Sequence, residues 1–161
     1  MKILIVGPSW VGDAVMSQTL FKLLKENRKS CSIDVLAPSW ALPIFNRMKE
    51  VNMAIELPFE HGDIKIKERK KFAGQIKKNN YDQAIILPNS LKSALIPYFA
   101  NIGIRTGWRG EMRYLLLNDL RKLNEVTYPR MIDRFCALGM EPDKEPFQIV
   151  HPSLQIDPEN I

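Results

Sequence analysis

Cysteine is scarce in this 161-residue chain: Cys31 and Cys136 are the only two. They stand far apart and share no metal-like spacing, which fits free thiols in a reducing compartment rather than a disulfide framework. The two histidines, His61 and His151, are isolated, with no cysteine or acidic cluster in register, so neither is assigned to a metal. No apolar run approaches the ~20 residues of a membrane span. The first run, Ile3–Val6, ends at Gly7-Pro8 and is too short for a signal-peptide core. Internal repeats and low-complexity tracts are missing too. These absences lead to the expectation of a cytosolic protein.

What is present suits one domain with a proper core. Apolar residues make up 45% and charged residues 25%, the mix of a globular protein. The net charge of +5 favours an anionic partner: nucleic acid, an acidic membrane surface or a phosphorylated small molecule.

Short apolar runs alternate with helical patterns. Ile3–Val6, Ile33–Ala37, Ala54–Leu57 and Ala84–Leu87 read as buried strands, each bounded by Pro, Gly, Asn or Asp. Ile102–Trp108 reads as a fifth. Met16, Leu20, Leu23 and Leu24 mark one face of a helix. Trp40–Met48 predicts a short helix, and Phe72, Ala73 and Ile76 mark another with a basic outer face. Ser90–Ala100 predicts a further helix, bent or ended by Pro97. Tyr128–Leu138 predicts the last, stopped at Gly139. This alternation implies an α/β fold, a Rossmann-like open parallel sheet with helices on both faces. Ligands then belong at the carboxyl ends of the strands, along Gly7–Asp13, Pro38–Trp40, Pro58–His61 and Pro88–Lys92. The tail from Pro142 is polar and proline-rich and reads as a linker. The expected organisation is one domain over 1–145 and the start of an interdomain linker over 146–161.

The most informative stretch is Gly7-Pro8-Ser9-Trp10-Val11-Gly12-Asp13. Its two glycines have the spacing of a phosphate-binding loop, but Asp13 stands where that loop carries lysine. A carboxylate repels a triphosphate, and a positioned base is the natural alternative. Asp13 reads two ways, as a helix cap held by the dipole or as a general base aimed at a substrate hydroxyl. In the second reading, the glycines admit substrate close to the backbone, and Trp10 supplies the apolar wall that restores basicity.

Three other segments carry charge or polar groups. Lys65, Lys67, Arg69, Lys70, Lys71, Lys77 and Lys78 place seven cations within fourteen positions. They read as a solvated helix face or as a patch for phosphates and carboxylates. The aromatic interleaving that nucleic acid needs is missing. Pro88-Asn89-Ser90-Leu91-Lys92-Ser93-Ala94 follows a strand, with Asn89 or Ser90 placed to cap the next helix and its amides placed to meet an anion. Arg105-Thr106-Gly107-Trp108-Arg109-Gly110-Glu111-Met112-Arg113 combines three guanidiniums with glycines, suited to bidentate capture of phosphate or carboxylate. Trp108 could stack on a sugar face, and the plainer alternative is a surface turn with an Arg–Glu pair.

Together these segments resemble the amino-terminal half of the ADP-heptose:lipopolysaccharide heptosyltransferases, glycosyltransferase family 9, and within it the heptosyltransferase II group. The resemblance rests on Lys2–Asp13, Asp34–Pro38, Leu87–Ala94 and above all Arg105–Tyr114 continued by Leu116-Leu117-Asn118-Asp119. It implies half of a two-domain GT-B enzyme that transfers heptose with inversion, without a metal or other cofactor. The acceptor half would be this chain, with Asp13 as base. Acceptor-binding residues would be Ser9, Trp10, Gly12, Asn89, Ser90, Lys92, Ser93, Arg105, Trp108, Arg109 and Arg113. The donor, ADP-heptose, would be held by a second domain. The acceptor implied is the first heptose of the Kdo–lipid A inner core. Its anionic groups would meet Lys65, Lys67, Arg69, Lys70 and Lys71, at the cytoplasmic face of the inner membrane. A stand-alone nucleotide-binding module and a non-catalytic domain for anionic glycolipid are the competing readings.

Overall fold

The computed structural model describes residues 1–142, 148–156 and 158–160. The expected domain boundary at 145/146 falls outside these described residues.

Six parallel strands form one sheet in the order β3-β2-β1-β4-β5-β6. They are β1 Lys2–Val6, β2 Ser32–Ala37, β3 Met53–Glu56, β4 Gln83–Ile86, β5 Ile104–Trp108 and β6 Asp119–Arg121. The helices are α1 Val11–Asn27, α2 Leu42–Phe45, α3 Ile66–Lys77, α4 Leu95–Phe99 and α5 Met131–Gly139. This strand order reverses between β1 and β4, as in doubly wound nucleotide folds. The Rossmann-like expectation therefore holds.

The near-continuous apolar strands are explained by burial on both faces. Ile3 and Ile5 of β1, Ile33 and Val35 of β2 and Ile85 of β4 pack with Leu20, Phe21 and Leu24 of α1, Phe45 of α2 and Phe135 and Leu138 of α5. The alternate residues Leu4, Val6, Leu36, Ala84 and Ile86 face Ala73 and Ile76 of α3 and Ile96 of α4. Both cysteines are buried free thiols, and burial pushes the Cys136 thiol up to about 12, so it is protonated at neutral pH. Among the described residues, no helix is long and apolar enough to cross a membrane.

Several elements differ in extent from the sequence reading. Trp40–Met48 is a 3-10 turn, Ser39–Ala41, running into the four-residue α2. Ser90–Ala100 begins as a 3-10 turn, Lys92–Ala94, and Pro97 lies inside the short α4 that follows. The last helix starts at Met131 rather than Tyr128. Strand β6 has no sequence counterpart, because Asp119-Leu120-Arg121 offers neither an apolar run nor alternation.

The tail docks on the domain it follows. Gln18 of α1 donates from Nε2 to the Ser153 carbonyl at 2.8 Å and accepts from its backbone N–H at 2.7 Å. Lys22 donates to the His151 carbonyl at 2.7 Å, and the Gln155 N–H donates to Arg47.

Candidate functional site

A cleft of about 730 Å³ opens where β1–β4 end. The exit of β1 contributes Gly7, Ser9 and Trp10; that of β2 contributes Pro38, Ser39 and Trp40. Leu57, Pro58, Phe59, Glu60 and His61 come from the exit of β3, and Pro88, Ser90, Lys92 and Ser93 from that of β4. The cleft thus spans the strand-order reversal, the place such sheets use for ligands. Each of the four rim segments expected from the sequence contributes, but the first does so through Gly7, Ser9 and Trp10, whereas Gly12 and Asp13 are not part of the lining.

The first loop separates the roles of its glycines. Gly7 is required by packing, since a Cβ would stand 3.3 Å from the Leu36 carbonyl oxygen, the Phe45 ring and Val35. Gly12 has no such reason: a Cβ there meets nothing within 4 Å, and its φ is not positive. Glycine at a helix position costs stability relative to alanine, so open space at Gly12 is space left for something else. Trp10 occupies the N-cap position of α1 without a side-chain cap. Asp13, in the first turn, is therefore not the cap. It is part-buried and makes no hydrogen bond or ion pair among the described residues. Trp10 is 72% exposed and faces the cleft, so it stands in solvent rather than as a closed wall over Asp13.

Beyond β4, the loop 88–93 is held from a distance in sequence. Arg113 is 1% exposed. Its Nη1 donates to the Pro88 carbonyl at 2.7 Å and to Ser93 Oγ at 3.2 Å, and its Nη2 donates to the Trp108 carbonyl at 2.6 Å. Burial pulls its guanidinium down to about 10, still protonated at neutral pH. Glu111 accepts from the Leu91 N–H at 3.0 Å, so that amide is already met. Ser90 Oγ accepts from the Ser93 N–H at 3.4 Å, a long cap-like contact, while Asn89 is exposed.

The arginine cluster is thus largely internal. Arg113 acts as a clamp for the loop and has no free fork for an anion. Arg105 donates to the carbonyls of Leu116 and Ile102, both at 2.7 Å, and stacks on Tyr98. It lies near the start of β5, away from the cleft. Trp108 is only 6% exposed and packs against Tyr128, which corrects the expectation of a sugar-stacking face. Arg109 is exposed and lies over the Tyr114 ring.

The basic segment also divides. Lys67, Lys70 and Lys71 are exposed, and Lys65 pairs with Asp63 at 3.0 Å. Arg69 is 3% exposed and lines the cleft. Among the described residues, no group of His, Cys, Asp and Glu could hold a metal ion.

Residues 69–160 match Glycosyltransferase family 9 (heptosyltransferase). The chain belongs to this family. It is 53% identical over 141 residues to lipopolysaccharide heptosyltransferase 2 of Salmonella typhimurium, covering 88% of this chain and 40% of that protein. It is 49% identical to lipooligosaccharide heptosyltransferase 2 of Haemophilus ducreyi, covering 100% of this chain and 47% of that protein. The solved Escherichia coli ADP-heptose lps heptosyltransferase II superposes with a TM-score of 0.90 at 44% identity, over 99% of this chain and 48% of that one. The chain therefore spans less than half the length of these relatives.

Trp40, Phe59 and His61 line the cleft on the rim segments Pro38–Trp40 and Pro58–His61, marked in the sequence by their place directly after β2 and β3. Arg69 of α3 and Ile96 of α4 also line it; neither stands at a strand exit, so no rim signal marks them.

Proposed function

We propose that this chain is the acceptor-side half of a lipopolysaccharide heptosyltransferase. The observation that carries the reading is the pair Gly12–Asp13 in the first turn of α1, directly after the cleft-lining Ser9 and Trp10: an open backbone position followed by a carboxylate side chain with no partner among the described residues. The close relation to heptosyltransferases 2 supplies the substrate class.

In this reading, the acceptor is the first heptose of the Kdo–lipid A inner core, and Asp13 acts as general base. One Asp13 oxygen takes the proton of the acceptor hydroxyl as that oxygen bonds to the anomeric carbon of ADP-heptose. The bond from that carbon to ADP breaks on the opposite face, so configuration inverts. The donor is held by the part of the enzyme beyond this chain, and neither metal nor cofactor enters the step. Exposed Ser9 and Trp10 and part-buried Ser90, Lys92 and Ser93 orient the acceptor from the cleft. The protein would work at the cytoplasmic face of the inner membrane, where the exposed Lys67, Lys70 and Lys71 favour an anionic surface.

The experiment is Asp13→Asn in the enzyme that contains this chain. Heptosyl transfer should fall by about a hundredfold or more, with unfolding temperature and ADP-heptose binding preserved. Turnover near wild type would overturn the base assignment.

A further inference from the structure

Gln18 is a long polar side chain in the buried part of α1, 0% exposed. Burying a carboxamide is costly unless its donors and its acceptor are met. Here they are. Its Oε1 accepts from the Ser153 N–H at 2.7 Å, and its Nε2 donates to the Ser153 carbonyl at 2.8 Å and to Glu50 Oε2 at 2.9 Å. The first two bonds are the exchange that two residues make in a hydrogen-bonded β pair. One side chain of α1 thus stands in for a strand.

The bonds along the tail have a strand's period. The His151 carbonyl accepts from Lys22 Nζ at 2.7 Å, and the Gln155 N–H donates to the Arg47 carbonyl at 2.9 Å. Contacts at 151, 153 and 155 match a strand edge, where alternate residues turn their backbone groups to one side. Lys22 lies one turn after Gln18 on α1 and also donates to Ser153 Oγ at 2.8 Å.

Glu50 decides which way the carboxamide lies. It is 5% exposed, and a carboxylate can only accept. It therefore takes the nitrogen end, which leaves the oxygen end for the Ser153 N–H. Asp13 stands on the same helix five positions before Gln18, a rise of about 7.5 Å. One rigid element thus carries the carboxylate in its first turn and grips the tail less than two turns later.

We propose that Gln18 is a positioning residue for heptosyl transfer. Its carboxamide, oriented by Glu50, clasps residues 151–155 to α1 and so sets where the chain departs toward the donor-holding part of the enzyme, relative to Asp13. The inference rests on the proposed division between an acceptor side in this chain and a donor side beyond it.

The test has two readouts. In this chain, hydrogen exchange at the Ser153 and Gln155 amides should be slowed, and Gln18→Leu should speed it by about tenfold or more while β1 amides keep their protection. In the enzyme that contains this chain, the same variant should lower kcat by about tenfold or more. The KM for acceptor should stay within about twofold, because the cleft is intact and only its relation to the donor changes. Ser153→Pro removes the amide proton at an exposed tail position without touching α1. It should have the same effects, followed at the Gln155 amide, and it answers the question if Gln18→Leu unfolds. Glu50→Gln keeps an acceptor oxygen in place and should retain most of the protection and most of kcat. Exchange reads the clasp whether or not heptose is transferred, and the kcat ratio reads positioning whichever group is the base, so a failure of the Asp13 assignment leaves both intact. Unchanged Ser153 exchange in Gln18→Leu would overturn the clasp. Unchanged kcat in a variant that has lost the protection would overturn its part in transfer.

Discussion

Arg113 Nη1 donates to the Pro88 carbonyl oxygen at 2.7 Å, across twenty-five positions of sequence. Through this bond, the loop after β5 fixes the loop after β4, which forms one wall of the cleft. Replacing Arg113 by Leu leaves the Pro88, Ser90 and Trp108 carbonyls without that donor. The expected loss is about 2–4 kcal/mol, read from urea unfolding. Lysine at this position reaches one carbonyl rather than three and should recover only part of the loss.

Gly110 continues the same wall. A Cβ there would fall on the backbone carbonyl oxygen of Asn89, with the Asn89 Cβ at 3.2 Å as well. Backbone cannot give way as a side-chain end can, so Gly110→Ala should push the 88–93 loop outward. In an active enzyme containing this chain, the KM for acceptor should rise by about fivefold or more with a smaller change in kcat. Unchanged acceptor KM would separate this loop from acceptor binding.

How much of this was legible depended on whether the signal was local. The unbroken apolar run Ile3-Leu4-Ile5-Val6 predicted β1 and, with its counterparts, the sheet buried on both faces. Arg69 was readable in principle: it precedes Ala73 and Ile76 by four and seven positions, which puts it on their buried face. Counting it among the cations hid that. Arg113 had no such signal, because its acceptors are carbonyls brought close only by the parallel pairing of β4 and β5. Strand β6 likewise owes its place to partners, with Asp119 opposite Thr106 and Arg121 opposite Trp108.

That edge should make the fold sensitive to acid. Gln83 Nε2 donates to Thr106 Oγ1 at 2.9 Å, Thr106 donates to Asp119 at 2.8 Å, and Arg121 pairs with Asp119 while also donating to the Ala137 carbonyl at 2.7 Å. Burial works to raise the Asp119 carboxyl, but the Arg121 and Thr106 hydrogen bonds outweigh it and hold the pKa below the ordinary 3.8. The Arg130 hydrogen bond lowers Asp133 in the same direction. A carboxylate lowered in the folded state adds stability that is complete above its unfolded value. Stability should therefore be flat with respect to these two groups above about pH 5 and fall as pH drops below 3.8 through their folded values. Asp119→Asn should flatten that acid limb in denaturant titrations. An unchanged slope would remove Asp119 from the account.

Gly12 offers the sharpest separation of stability from function. It is the second residue of α1, with a non-positive φ and no atom within 4 Å of a Cβ position. Alanine fits there without strain and restricts the unfolded chain, so Gly12→Ala should raise stability by up to about 1 kcal/mol. The same methyl fills the space beside Asp13 through which an acceptor hydroxyl would approach. An enzyme carrying Gly12→Ala should therefore melt at a higher temperature and transfer heptose more slowly. Raised stability with undiminished transfer would mean that the open space at Gly12 is unused.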